Sequence, residues 1–146
     1  MVKNKRKCLN LSVQASLIRR VFPTAGVTIN RGKMVCKLLL QPSPLSDSYN
    51  IKIVYDIDNH PDIYVIKRKL KLFSGATSLP HVYDTAKQHL CVYYRTAKEW
   101  NKSMPIVDSI VPWTSEWLYH YEFWLATGTW HGKGIHGKPK PFRKTK

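Results

Sequence analysis

Three runs of strict alternation constrain this chain more than any other feature. Met34, Cys36, Leu38 and Leu40 alternate with Val35, Lys37, Leu39 and Gln41, and Ile51, Ile53, Tyr55 and Ile57 alternate with Asn50, Lys52, Val54 and Asp56. From Ile63 to Leu72, Ile66, Leu70 and Leu72 face one way and Lys67, Lys69 and Lys71 the other. A side-chain period of two is the signature of a strand with one buried face. Pro42-Ser43-Pro44 with Ser46-Asp47-Ser48, and then Asp58 to Asp62, are short turns between the runs. Strands joined this closely pair with their neighbours, which predicts an antiparallel meander.

Helical patterns flank the meander. Leu11, Val13, Ala15, Leu17, Ile18 and Val21 form an apolar stripe that Asn10 or Ser12 can cap and Pro23 ends. Beyond the strands, Ser74 to His81 is rich in turn residues, Leu90 to Tyr94 is a short apolar segment, and Trp100 to Pro112 is irregular apart from a turn at 106–110. A last helix is expected from a Thr114 cap, with Trp117, Leu118, Tyr121, Phe123, Trp124 and Leu125 on its apolar face and Gly128 as its stop. The order is helix, meander of three or four strands, long loop, helix, so the fold class is α+β.

At 146 residues and 43% hydrophobic content, the chain suits one domain with a real core. It has no apolar run near the ~18 residues of a membrane span and no secretory signal pattern, so no membrane partner is expected. The net charge of +15 invites a nucleic-acid reading, but its distribution argues against one. Residues 1–20 and 133–146 hold twelve of the 24 basic residues and no acid, leaving twelve against nine, or +3, over residues 21–132. The expected organisation is a basic leader over 1–9, one domain over 10–131, and a Gly/Lys/Pro-rich basic tail over 132–146. Residues 1–7 and 138–146 have no apolar period to bury, so their removal is expected to leave the fold intact.

Cys8, Cys36 and Cys91 are odd in number, widely spaced and without a C-x-x-C pair, which suits a reducing cytoplasm and excludes zinc-ribbon and thioredoxin-like chemistry. Cys36 falls on the apolar face of a strand and reads as a packed thiol. Cys8 sits in the leader and is expected to be exposed. Cys91 is either the packed thiol of a fourth strand or a reactive one. Reactivity needs partial exposure and nearby groups that lower the thiol pKa, and His81, Lys87, His89 and Arg95 are candidates. On that reading Cys91 alkylates faster than Cys8. His131 and His136 lack a third ligand, so loop packing or a partner contact is expected there and no metal. The spacing of Trp113, Trp117, Trp124 and Trp130 favours core packing over base stacking.

Leu79-Pro80-His81, His89-Leu90-Cys91-Val92, Trp100 and Pro105, set behind a helix and a meander, resemble the ubiquitin-conjugating enzymes. In that family a His-Pro-Asn signature precedes the nucleophilic cysteine, and a Trp and a Pro follow it. The likeness covers roughly residues 10–130. Leu90 to Arg95 and Trp113 to His136 are more narrowly similar to the small bacterial relatives of type II CBASS anti-phage systems. The resemblance implies a ubiquitin-conjugating-enzyme-like fold in which the long loop is the active-site loop. It puts Cys91 at the nucleophile position and His81 at that of the signature Asn. An imidazole N–H can steady an oxyanion as an amide does, or relay a proton, or His81 can simply bond a loop carbonyl.

The function so implied is cysteine-based acyl transfer. Cys91 would hold the C-terminus of a cGAS-like nucleotidyltransferase as a thioester and pass it to a lysine of a target protein. No G-x-x-x-x-G-K-[ST] loop is present, so activation must come from elsewhere, and no cofactor is expected. The alternative is a non-catalytic basic module that binds nucleic acid through its arms. Nucleic acid is otherwise not an expected partner.

Overall fold

The structure, a computed structural model, describes residues 8–132; the leader up to Lys7 and the tail from Lys133, His136 included, lie outside the described residues. Asn10 caps helix α1 (Leu11–Val21), its side-chain oxygen accepting the N–H of Val13 at 2.9 Å. Of the two expected caps, it is therefore Asn10 that serves. Leu11, Ala15 and Ile18 of α1 are buried against the sheet and the segment that follows Trp100. Gln14 is buried with them, donating to the Met104 carbonyl at 3.1 Å and accepting the Ile106 N–H at 2.8 Å.

Six antiparallel strands form one sheet: β1 (Gly26–Asn30), β2 (Lys33–Leu40), β3 (Tyr49–Asp56), β4 (Asp62–Ile66), β5 (Val82–Asp84) and β6 (His89–Leu90). Their spatial order is β1-β2-β3-β4-β6-β5. The central pair aligns Cys36 with Ile53 and Leu38 with Ile51, and the alternate residues of both strands are buried as the pattern predicts. Strand β1 has no counterpart in the sequence reading. Val27 is its only buried residue, so it lacks a hydrophobic alternation. Its signal is a tight turn, with Arg31 (φ 53°) and Gly32 (φ 77°) both left-handed, as a two-residue hairpin requires.

The run from Ile63 to Leu72 is not one strand. β4 ends at Ile66, and Lys67 turns the chain away at φ 70°. Gln88 explains the break. Its buried side chain accepts the Leu70 N–H at 2.7 Å and donates to the carbonyls of Val65 (3.0 Å) and Arg68 (2.9 Å). A side chain thus takes the hydrogen bonds that a continuing strand would have given to a neighbour. Leu70 is buried, but Leu72 is 37% exposed and shares no strand face with it.

The last helix, α2 (Ile110–Thr127), starts at Ser109 rather than at Thr114. Thr114 lies inside it and returns its hydroxyl proton to the Ile110 carbonyl at 2.8 Å. Pro112 is tolerated because first-turn N–H groups have no partner within the helix. Trp117, Leu118, Tyr121 and Trp124 are buried, whereas Phe123, expected on the same face, is 42% exposed. Gly128 ends the helix as expected, left-handed at φ 82°, and a Cβ there would meet the Phe73 ring at 2.7 Å. Trp117 and Trp124 thus belong to the core and offer no stacking platform.

Candidate functional site

β5 and β6 form a short hairpin on the far side of β4, and its last backbone bond runs from the Cys91 N–H to the His81 carbonyl at 3.0 Å. Cys91 is therefore the first residue past β6 and His81 the last before β5. The same His81 carbonyl accepts the Trp117 indole N–H at 2.9 Å, which ties the hairpin to α2. His81 is held at φ 49°, a left-handed conformation that costs a non-glycine residue about 1 kcal/mol or more. Its ring lies 4.8 Å from that of Trp130. Burial, and then the charge of His120, lower its pKa, so the imidazole is neutral at pH 7. The two candidate residues are joined through the backbone, and the ring of His81 packs beside that of Trp130.

The three thiols differ in burial as expected, and Cys91 departs from the acidity expected of it. Cys36 is fully buried, and desolvation pushes its pKa up to about 11. Cys8 is exposed and Cys91 is half-buried. For Cys91 the sequence reading expects a lowered pKa, whereas burial wins and raises it. A hydrogen bond from Tyr83, the charge of Arg95 and the Tyr93 backbone pull against that rise, and Glu99 adds to it. In the neutral thiol, the Sγ–H donates to the Tyr93 carbonyl at 3.3 Å.

Of the four groups expected to act on the thiol, Arg95 is the one that does. It stands in the single turn of 3-10 helix at Arg95–Ala97, just past Cys91. Its guanidinium donates to Asp62 at 2.8 Å and to the Pro61 carbonyl at 3.1 Å, and it lies 4.8 Å from the centre of the Tyr83 ring. The same Asp62 oxygen meets His89 Nε2 at 3.0 Å. The His89 ring sits between Tyr64, at 4.7 Å, and Tyr83, at 4.8 Å. His89 thus steadies Asp62 and Tyr83 and does not touch the sulfur directly, while Lys87 is on the opposite turn of the hairpin, its N–H bonded to Asp84 at 2.8 Å. Asp62 and Tyr83 are the site residues that the sequence reading misses. Asp62 opens β4 and Tyr83 sits in the three-residue β5, where each residue type is ordinary, and only the pairing of β6 with both strands brings them together.

This arrangement presents one accessible sulfur with a phenol, a guanidinium and a peptide carbonyl around it. It can stabilise a thiolate in part and exchange acyl groups. Among the described residues no cluster of three or more His, Cys, Asp or Glu could hold a metal, and no helix is long and apolar enough to cross a membrane. A family model described as Type II CBASS E2 protein (E2-CBASS) matches residues 14–137. No curated protein matches the chain.

Proposed function

The chain belongs to the type II CBASS E2 proteins, and on that premise we propose that it is a cysteine transferase with Cys91 as its nucleophile. The donor is the C-terminus of a cGAS-like nucleotidyltransferase and the acceptor a lysine amine of a target protein, with both steps taking place in the cytoplasm. In the first step the Cys91 thiolate attacks the activated C-terminal carbonyl. A C–S bond forms, and the bond to the activating group breaks with its electron pair. In the second step the neutral lysine amine attacks the thioester carbonyl, the thiolate departs, and the nitrogen loses its proton to solvent or to a nearby base. The sequence has no G-x-x-x-x-G-K-[ST] loop, so the activated donor is supplied from outside.

The half-buried Cys91, set between Tyr83 and Arg95 at the mouth of the hairpin, carries this reading. Tyr83 and Arg95 stabilise the thiolate as attacking and as leaving group. His81 is the candidate for the oxyanion donor or proton relay of the second step, and its neutral ring suits either role.

The test is intact-mass analysis of the protein mixed with the activated nucleotidyltransferase, with and without reductant. A reductant-sensitive adduct is expected that Cys91→Ala abolishes and Cys36→Ala keeps. An adduct retained by Cys91→Ala would show the nucleophile to be elsewhere. Under single turnover, His81→Ala is expected to slow transfer to lysine by about a hundredfold and to spare loading. Equal rates for the variant and wild type would make His81 structural and leave Cys91 standing alone.

A further inference from the structure

A cleft of about 670 Å³ opens between the strap that follows β4 and the turn of the β5–β6 hairpin. Lys67, Lys69 and Lys87 stand on its rim, and Leu70, Leu72 and Leu79 line it within. We propose that this cleft docks an acidic peptide segment of a protein partner, anchored by an aliphatic side chain. The proposal is independent of the thiol chemistry.

Arg68, on the same strap, is engaged with Asp47 at 2.8 Å and lies 4.7 Å from the Tyr49 ring. Among the described residues, Lys67, Lys69 and Lys87 form no ion pair, and Asp84, the one acid of the hairpin, is bonded to the Lys87 backbone N–H. Three like charges gathered on one concavity repel each other until an anion joins them.

Gln88 holds the strap through its bonds to Arg68 and Leu70 and ties it to β4 at Val65, so the cleft is formed before any partner arrives. Lys67 (φ 70°) and Gln88 (φ 52°) are both left-handed non-glycine residues, and both line the cleft. Preorganisation of this kind lowers the entropy lost on binding. No aromatic side chain lines the cleft, so it offers a nucleic acid no base stacking. Its aliphatic lining suits an apolar side chain flanked by carboxylates.

The experiment uses the full chain and a fluorescein-labelled peptide in which Asp and Glu flank a central pair of leucines, read by fluorescence anisotropy. Saturable, salt-sensitive binding is expected for wild type and for Cys91→Ser. The triple variant Lys67→Glu, Lys69→Glu, Lys87→Glu is expected to lose about tenfold in affinity, three surface ion pairs' worth. A matched triple, Arg20→Glu, Lys37→Glu, Lys52→Glu, should bind within about twofold of wild type. Replacing the two leucines of the peptide by serine should weaken binding, as should Leu72→Ser in the protein. If the cleft triple does not melt cooperatively, the Lys→Gln triple at the same positions takes its place. Equal loss in both triples would reduce the effect to bulk charge and overturn the proposal. So would wild-type affinity in the cleft triple, or displacement of the peptide by an unlabelled oligo-dT at lower concentration than by unlabelled peptide.

Discussion

A thiol's acidity is set by the balance between the water it has lost and the donors it has gained. At Cys91 the loss is larger, so its thiolate fraction is expected to keep rising with pH beyond the usual thiol range. The rate of iodoacetamide alkylation at Cys91, resolved by peptide mass, should follow the same curve. Tyr83→Phe removes a donor to the thiolate, and Arg95→Gln removes a positive charge; each should slow alkylation at pH 7.5 and move the midpoint higher. Faster alkylation in Tyr83→Phe would mean that the phenol shields the sulfur and does not stabilise it. His81 runs the other way. Its lowered pKa means that the folded chain binds that proton less tightly than the unfolded chain does. Its contribution to stability is therefore complete above the ordinary pKa of about 6.5 and is lost as pH falls through the lowered value. His81→Gln should flatten that acid limb in thermal melts taken between pH 7 and pH 5. Cys91 and His81 were singled out in the sequence by the likeness of Leu79-Pro80-His81 and His89-Leu90-Cys91-Val92 to the conjugating enzymes. Asp62 was not, because its role depends on one oxygen that meets both Arg95 and His89 across a pairing no local pattern encodes.

At the scale of elements, alternation was readable wherever one face is buried, as in β2 and β3, and unreadable where it is not, as in β1. The strap after Ile66 misleads for a definite reason. Its residues keep the alternation of a strand while their backbone groups bond to the side chain of Gln88. Gln88→Leu would leave three backbone groups without their partner in a place water reaches poorly, at a cost of about 3 kcal/mol. A fall in melting temperature of roughly 6–12 °C is expected for a chain of this size. A change under about 2 °C would show that water replaces those bonds at little cost. Gly128 offers a second check at the end of α2. Gly128→Ala combines a left-handed backbone with a Cβ at 2.7 Å from the Phe73 ring, so about 1–2 kcal/mol should be lost. Adding Phe73→Ala should recover the part due to the clash and leave the backbone part, so the two changes will not add.

Across the whole molecule, the sheet grades from long ladders to short ones. β2 and β3 share eight paired positions, whereas β6 meets β4 at only two, Ile63 with Leu90 and Tyr64 with His89. The α+β order was legible because each long element declares itself locally; the placement of the hairpin was not, because β5 and β6 follow β4 in sequence but insert in the order β4-β6-β5. The Cys91 sulfur is thus mounted where the sheet has its fewest strand pairings, on a hairpin tied to α2 by the Trp117 bond to the His81 carbonyl and to β4 and the strap by Gln88. In native-state hydrogen exchange the amides of Leu90 and Cys91 should exchange well before those of Ile51 and Ile53, through an opening that leaves the central ladder closed. Trp117→Phe, which removes that indole donor, should widen the gap. Each lifting of the hairpin would bare more of the half-buried thiol, and a protein that gripped the hairpin could speed or silence the sulfur without ever touching it.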